Sequence, residues 1–292
     1  PDYWDYQWKI NHEIDPYNSI IFLGLGTIDD FSVKAPDDFD ARQQAAIEQV
    51  PIIQQKTTTV GLSWKRKYKN GKGNMVTSIS TNRLQNIFSR YQDNTRKSGI
   101  LFKNDSYEQE TKLRYQTLHY LNRFKLVAGV NIQYSDYGND TRSLLYNLDY
   151  NTRIDFIKYG FFVKGERKFC DDNLGISFGF RVDEDTFSQG SKMTDNFSPR
   201  LSLTYNLTGD QSWKINASVG RYFKIPTYTM LGFQDVGNFI NQSAKYTQSD
   251  HAVFGLEYSP GNASRITLEG FYKKYSRYPI SIIDQVSLAN KG

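Results

Sequence analysis

Seven charged residues in the second half of the sequence fall on one beat of a period-two pattern: Arg181, Asp183, Arg200, Lys214, Glu257, Arg265 and Glu269. Side chains of this type in this phase can pair into a solvated ionic network or meet a charged substrate. The pairing role is the plainer one. Nothing else in the chain has the spacing of a catalytic or metal centre. His12, His119 and His251 stand far apart, without metal-ligand spacing. No G-x-S-x-G, H-E-x-x-H or phosphate-loop pattern occurs, so no nucleophile, base and orienting acid are brought together in sequence. Gly24-Leu25-Gly26 is too short to cradle a phosphate and is expected to be strand glycine on a lumen-facing side. The single cysteine, Cys170, cannot close an internal disulfide. These features point away from an enzyme and require no cofactor.

The elements that must hold the charges are strands. Leu174, Ile176, Phe178, Phe180 and Val182 alternate with Gly175, Ser177, Gly179 and Arg181. The same alternation runs through Leu201–Tyr205, Trp213–Val219, Phe254–Tyr258 and Ile266–Tyr272. A period of two puts each set on one face of a strand. An antiparallel sheet on a soluble core gives this pattern. So does a transmembrane barrel with its apolar face on lipid and its polar face on an aqueous lumen. Of 292 residues 38% are hydrophobic, and no apolar run is long enough for a transmembrane helix. Aromatic residues make up 15%, which suits either kind of all-β protein. The net charge is only +5 and forms no basic stripe, so nucleic acid is not an expected partner.

In chain order the pattern predicts about twelve strands: Tyr3–Ile10, Ile20–Ile28, Gln55–Lys69, Asn74–Phe88, Tyr107–Tyr120, Phe124–Tyr134, Thr152–Glu166, Leu174–Asp183, Ser198–Asn206, Ser212–Phe223, His251–Ser259 and Ser264–Tyr275. A helix is expected within Asp38–Val50. Short turns such as Asn70-Gly71 alternate with five long connections, at Asp29–Gln54, Ser89–Asp105, Ser135–Tyr150, Glu184–Asn196 and Lys224–Asp250. A meander with tight turns at one end and long loops at the other favours the transmembrane barrel over a sandwich or propeller.

Three stretches carry a family resemblance: Gly179-Phe180-Arg181-Val182-Asp183, Asn196-Phe197-Ser198-Pro199-Arg200-Leu201-Ser202-Leu203-Thr204-Tyr205, and Ser218-Val219-Gly220-Arg221-Tyr222-Phe223-Lys224-Ile225-Pro226. In order and spacing they resemble strands of the barrel of TonB-dependent outer-membrane receptors. The resemblance is firm from about Phe161 to Pro279. It implies an all-β, antiparallel meander forming about twelve of an expected 22 barrel strands. It also implies integral residence in the outer membrane of a Gram-negative bacterium, contact with outer-membrane lipid, and active uptake of a scarce nutrient. Ferric siderophore, cobalamin, haem or oligosaccharide are the typical cargoes. TonB would act through a plug domain of the parent chain. No plug, TonB-contacting segment or terminal aromatic strand is recognised here, and both ends look cut from something longer. The alternatives are a passive 12-stranded porin, a soluble all-β binding module, and an adhesin working through its loops.

On this reading the seven charged residues face the lumen, toward plug or substrate. Trp4, Tyr6, Trp8, Tyr205, Tyr222, Tyr258, Tyr272 and Tyr275 are candidates for interfacial aromatic girdles. The long connections hold the ligand-capture candidates Phe187, Tyr228, Phe233 and Phe239, with Phe31, Phe39, Tyr91, Tyr137 and Tyr146 in comparable positions.

Overall fold

The computed structural model describes residues 2–32, 40–145, 147–261 and 263–280. Twelve strands form one antiparallel sheet in strict sequence order, so each strand pairs with its predecessor and its successor. They are β1 Asp2–Glu13, β2 Asn18–Phe31, β3 Ile52–Lys67, β4 Gly73–Asp93, β5 Ser98–Leu121, β6 Phe124–Ser143, β7 Leu148–Phe169, β8 Leu174–Asp185, β9 Ser198–Asn206, β10 Trp213–Lys224, β13 Thr247–Gly261 and β14 Ser264–Ser276. A two-stranded hairpin of β11 Gln234–Asp235 and β12 Asn238–Phe239 lies in the connection from β10 to β13. Helix α1 covers Ala41–Gln49, inside the expected window. The sheet does not close: β1 and β14 are its two edges.

The turns at one end are short and chemically specified. Asp15 caps the β1–β2 turn, accepting backbone hydrogen bonds from Tyr17 (2.7 Å) and Asn18 (2.9 Å). Asn70 Oδ1 accepts the Lys72 amide (3.0 Å), and Gly71 supplies the left-handed φ of +69°. Asn122 takes φ +55° in the short β5–β6 turn.

At the opposite end two expected loops are strand. β4 and β5 run on to a tight turn beyond Asp93, and β6 and β7 to one beyond Ser143. Tyr91 and Tyr137 therefore sit in strands, as does Phe31 at the end of β2, whereas Phe39 and Tyr146 lie outside the described residues. The long connections are those after β2, β8 and β10. The physical reason is visible on β6. From Phe124 to Tyr134 one face carries Phe124, Leu126, Ala128, Val130, Ile132 and Tyr134; further on, that face carries Asp136, Gly138, Asp140 and Arg142. Once both faces are polar the hydrophobic alternation vanishes, although the hydrogen-bonded ladder continues.

The apolar stretch of β6 is about 34 Å long along the strand. Tilted by about 40°, it gives a band about 26 Å tall, close to the apolar band of outer-membrane barrels.

Candidate functional site

The register assigns every strand residue to one of two faces. Cross-strand pairs carry the polar face from Glu110 to Ser135, Phe156, Lys158, Asp185, Asp183, Arg181, Arg200, Ser218, Lys214 and Glu257. All seven predicted charged residues share this face. Glu257 joins two of the others, accepting from Arg265 at 2.6 Å and lying 3.7 Å from Lys214. Arg181 is bidentate on Asp183, both contacts at 2.6 Å. Arg200 is stacked over Tyr222 at 4.4 Å instead of pairing with an acid. Glu269 stands opposite Gly255 on the edge strand β14.

The sequence stretches that carried the resemblance meet here. Asn196, fully buried, donates from Nδ2 to the Asp183 carbonyl (3.0 Å), which ties the entry of β9 to the end of β8. Arg221 lies on the apolar face and is bidentate on Asp250, at 2.7 and 3.3 Å.

The aromatic candidates divide between the faces. Trp4, Tyr6, Trp8, Tyr205, Tyr258 and Tyr272 are in register with the apolar side chains. Tyr222 and Tyr275 are not: Tyr222 pairs with Ser249 and Ser249 with Tyr275, in phase with Arg200 and His251. Their hydrophobicity suggested the apolar side, but strand parity governs. Gly24 and Gly26 also correct the expectation. They lie on the apolar face, where the Trp8 and Tyr6 rings occupy the space a Cβ would need. Sequence reasoning missed Tyr134, which ends the apolar row of β6 beside Asp136, and Tyr159, one step before Ile157 ends that of β7; the Tyr159 hydroxyl donates to Glu184 (3.0 Å).

On the polar face the β10–β13 connection, Ile225–Tyr246, folds onto β5–β8. Pro226 cannot continue the β10 ladder, and the chain turns into the short helix α2, Tyr228–Leu231. Leu231 (0% exposed), Tyr228, Tyr246 and Ile225 pack with Tyr137, Ile154 and Phe156 of β6 and β7. Phe187 and Phe239 pack against this cluster, their rings 5.2 Å apart. Phe233 is half exposed and stacks on Tyr150 at 5.9 Å. Three of the four ligand-loop candidates, Phe187 from the β8–β9 connection with Tyr228 and Phe239 from the β10–β13 connection, are thus packed together, and Phe233 lies apart on Tyr150.

Polar groups fix the loop. The Tyr228 hydroxyl donates to Glu110 (2.6 Å), and it lies 3.0 Å from Ser135 Oγ and 3.1 Å from Gln133 Nε2. The Gly232 carbonyl accepts from Thr152 (2.5 Å) and Tyr150 (3.1 Å). The Tyr246 hydroxyl donates to Asp185 (2.8 Å), whose carboxylate also caps the Phe187 and Ser188 amides. Glu110, Ser135 and Asp185 share the polar-face parity and were findable by it; Leu231 and Tyr246 carry no signal outside the fold.

Burial, with the neighbouring Glu110, pushes the Tyr228 phenol well above the usual tyrosine range; burial and Asp185 do the same for Tyr246. A raised folded pKa means that this contribution to stability is complete below the ordinary tyrosine value of about 10 and is lost only as pH rises beyond it. In a tyrosinate absorbance titration, Tyr228→Phe and Tyr246→Phe are expected to remove amplitude only from the step above pH ~10. Amplitude lost from the ordinary step would contradict the burial.

Among the described residues no group of histidine, cysteine or carboxylate side chains could hold a metal ion. No helix there is long and apolar enough to cross a membrane, which leaves crossing by strands open.

Comparison with known proteins agrees with this geometry. The siderophore receptor PirA from Acinetobacter baumannii superposes with a TM-score of 0.69 at 12% identity, over 94% of this chain and 43% of that one. The alcaligin outer-membrane receptor FauA from Bordetella pertussis gives 0.64 at 10%, over 94% and 43%. The copper transporter OprC gives 0.67 at 15%, over 93% and 45%. The chain therefore spans less than half the length of these solved structures, and at such identities the likeness is one of fold. No curated protein sequence matches it significantly. The family described as TonB dependent receptor-like, beta-barrel matches residues 3–291, nearly the whole chain, and the chain belongs to that family.

Proposed function

We propose that this chain is part of the barrel wall of an outer-membrane receptor for TonB-dependent nutrient uptake. In this reading the apolar face meets lipid and the polar face lines the lumen. The observation that carries it is the band on the apolar face, bounded by Asp136, Asp155 and Glu184 toward the long connections. Trp4, Tyr6, Trp8 and Tyr272 serve as girdle residues toward that margin, and Tyr205 and Tyr258 near the short turns. TonB acts through a plug elsewhere in the parent protein, and the capture surface lies at the end bearing Ile225–Tyr246. No chemistry of bond making is required of it. Siderophore and copper proteins among its structural neighbours favour a metal-bearing cargo.

The test is accumulation of radiolabelled ferric chelates by source cells. Deleting the gene, deleting tonB or collapsing the proton gradient should each abolish accumulation of the same chelate. Accumulation that needs this gene but neither TonB nor the gradient would replace the uptake receptor with a passive channel.

A further inference from the structure

At the short-turn end, five of the eight residues from Lys65 to Lys72 are cations, a local concentration hidden in the small net charge of the whole chain. They are Lys65, Arg66, Lys67, Lys69 and Lys72, at the end of β3 and in the β3–β4 turn. None of them makes an ion pair among the described residues. Between this turn and the β1–β2 turn lies a cleft of about 750 Å³, lined by Tyr17, Arg66, Lys67, Tyr68, Lys69 and Met75. Its one carboxylate, Asp15, is already engaged by the Tyr17 and Asn18 amides and by Asn18 Nδ2 (2.7 Å).

The cleft opens at the foot of the apolar face. On β3 the outward row of Val60, Leu62 and Trp64 is followed by Arg66, which is exposed and in register with Asn18 and Met75. Lys65 is in register with Ser19, on the polar side. The last two outward positions of each described strand at this end include Arg66 and Arg167 and no carboxylate. The two turns are fixed to each other. The Lys67 amide donates to the Tyr17 carbonyl (2.8 Å), and Trp64 Nε1 donates to Asn18 Oδ1 (3.3 Å). The Tyr68 hydroxyl lies 3.1 Å from Thr117 Oγ1, and its ring 5.2 Å from that of His119. Tryptophan and tyrosine at the end of an apolar row mark headgroup depth. Cations at that depth with no acid to pair with complement a lipid of net negative charge.

We propose that this cleft seats the headgroup of an anionic phospholipid from the leaflet on the short-turn side. Arg66 binds the phosphate through its planar fork of donors. Lys69 and Lys67 attract the same negative headgroup from the turn, and a cation so placed adds about fivefold to affinity. The acyl chains lie along Met75, Trp64 and Leu62. The site is outside the lumen, so a plug in the barrel does not compete for it. It rests on the transmembrane reading of the apolar face.

The test is native mass spectrometry of the full-length protein released from vesicles of equal phosphatidylglycerol and phosphatidylcholine. The wild type should retain phosphatidylglycerol over phosphatidylcholine by about 25-fold or more, two such contributions multiplied. Arg66→Gln and Lys69→Gln should each cut that preference about fivefold, and the double variant about 25-fold. Arg66→Lys, which keeps the charge and loses the fork, should fall between Arg66→Gln and the wild type. Lys65→Gln removes the same charge from the polar side and should leave the preference intact. Equal retention of the two lipids by the wild type overturns the inference. So does a loss with Lys65→Gln as large as that with Arg66→Gln, for charge would then act without a site. Protein that enters the vesicles and shows no preference sinks this site alone; protein that does not enter them sinks the transmembrane reading with it.

Discussion

Val130→Arg is expected to destabilise the full-length protein in lipid vesicles by about 2–4 kcal/mol, the cost of an arginine at the bilayer midplane. Val130 stands midway along the apolar stretch of β6, in register with Tyr115 and Phe161. Its side chain is half exposed within the described sheet, so no protein packing pays for an added charge. Asp140→Arg, on the same strand and face but beyond Asp136, should cost about 1 kcal/mol or less. Denaturant unfolding of the two variants, done in vesicles and followed by tryptophan fluorescence, measures the difference. Equal costs would mean that no lipid boundary lies between the two positions, and the transmembrane placement of this face would be lost.

The second large effect is local. Leu231→Ala removes the fully buried side chain that seats α2 on β6 and β7. Leucine-to-alanine truncation in a packed core costs about 2–5 kcal/mol. The loss should fall on the seating of Ile225–Tyr246, since the twelve-stranded ladder does not pass through it. Hydrogen exchange of the α2 amides should accelerate at least tenfold, and trypsin should cut at Lys224 and Lys245, with β-sheet amides unchanged. Phe233→Ala, at a half-exposed ring stacked only on Tyr150, should leave exchange near wild type. If Leu231→Ala slowed nothing and sped nothing in the loop, the cluster would not be what holds it.

The sheet was legible because a side-chain period of two survives wherever one face is apolar. Ser198–Asn206 has the same limits in the sequence pattern and in the structure. The pattern failed at Ser89–Asp105 and Ser135–Tyr150 because β4 to β7 continue where polar residues occupy both faces, even where Ser135 and Tyr137 are buried under the loop. A strand there is held by ladder hydrogen bonds, which composition does not encode. Parity likewise placed the seven charged residues together, and it would have moved Tyr222 and Tyr275 off the girdle had it been applied to them strictly. The loop cluster was half legible: its aromatics stood out, but not the contacts to Glu110, Ser135 and Asp185, which join residues remote in sequence.

The extension of β4 to β7 makes the wall unequal in height. From Asp136 to Ser143, β6 continues about 24 Å past the band along its own axis, whereas β9 ends within nine residues. In the outer-membrane reading the turns at Asn94–Lys97 and Leu144–Asn147 stand as a parapet above the cell surface, and the β8–β10 side forms a low sill. Antibodies and other large particles arriving from outside would touch the parapet first, and small solutes would have their widest approach across the sill.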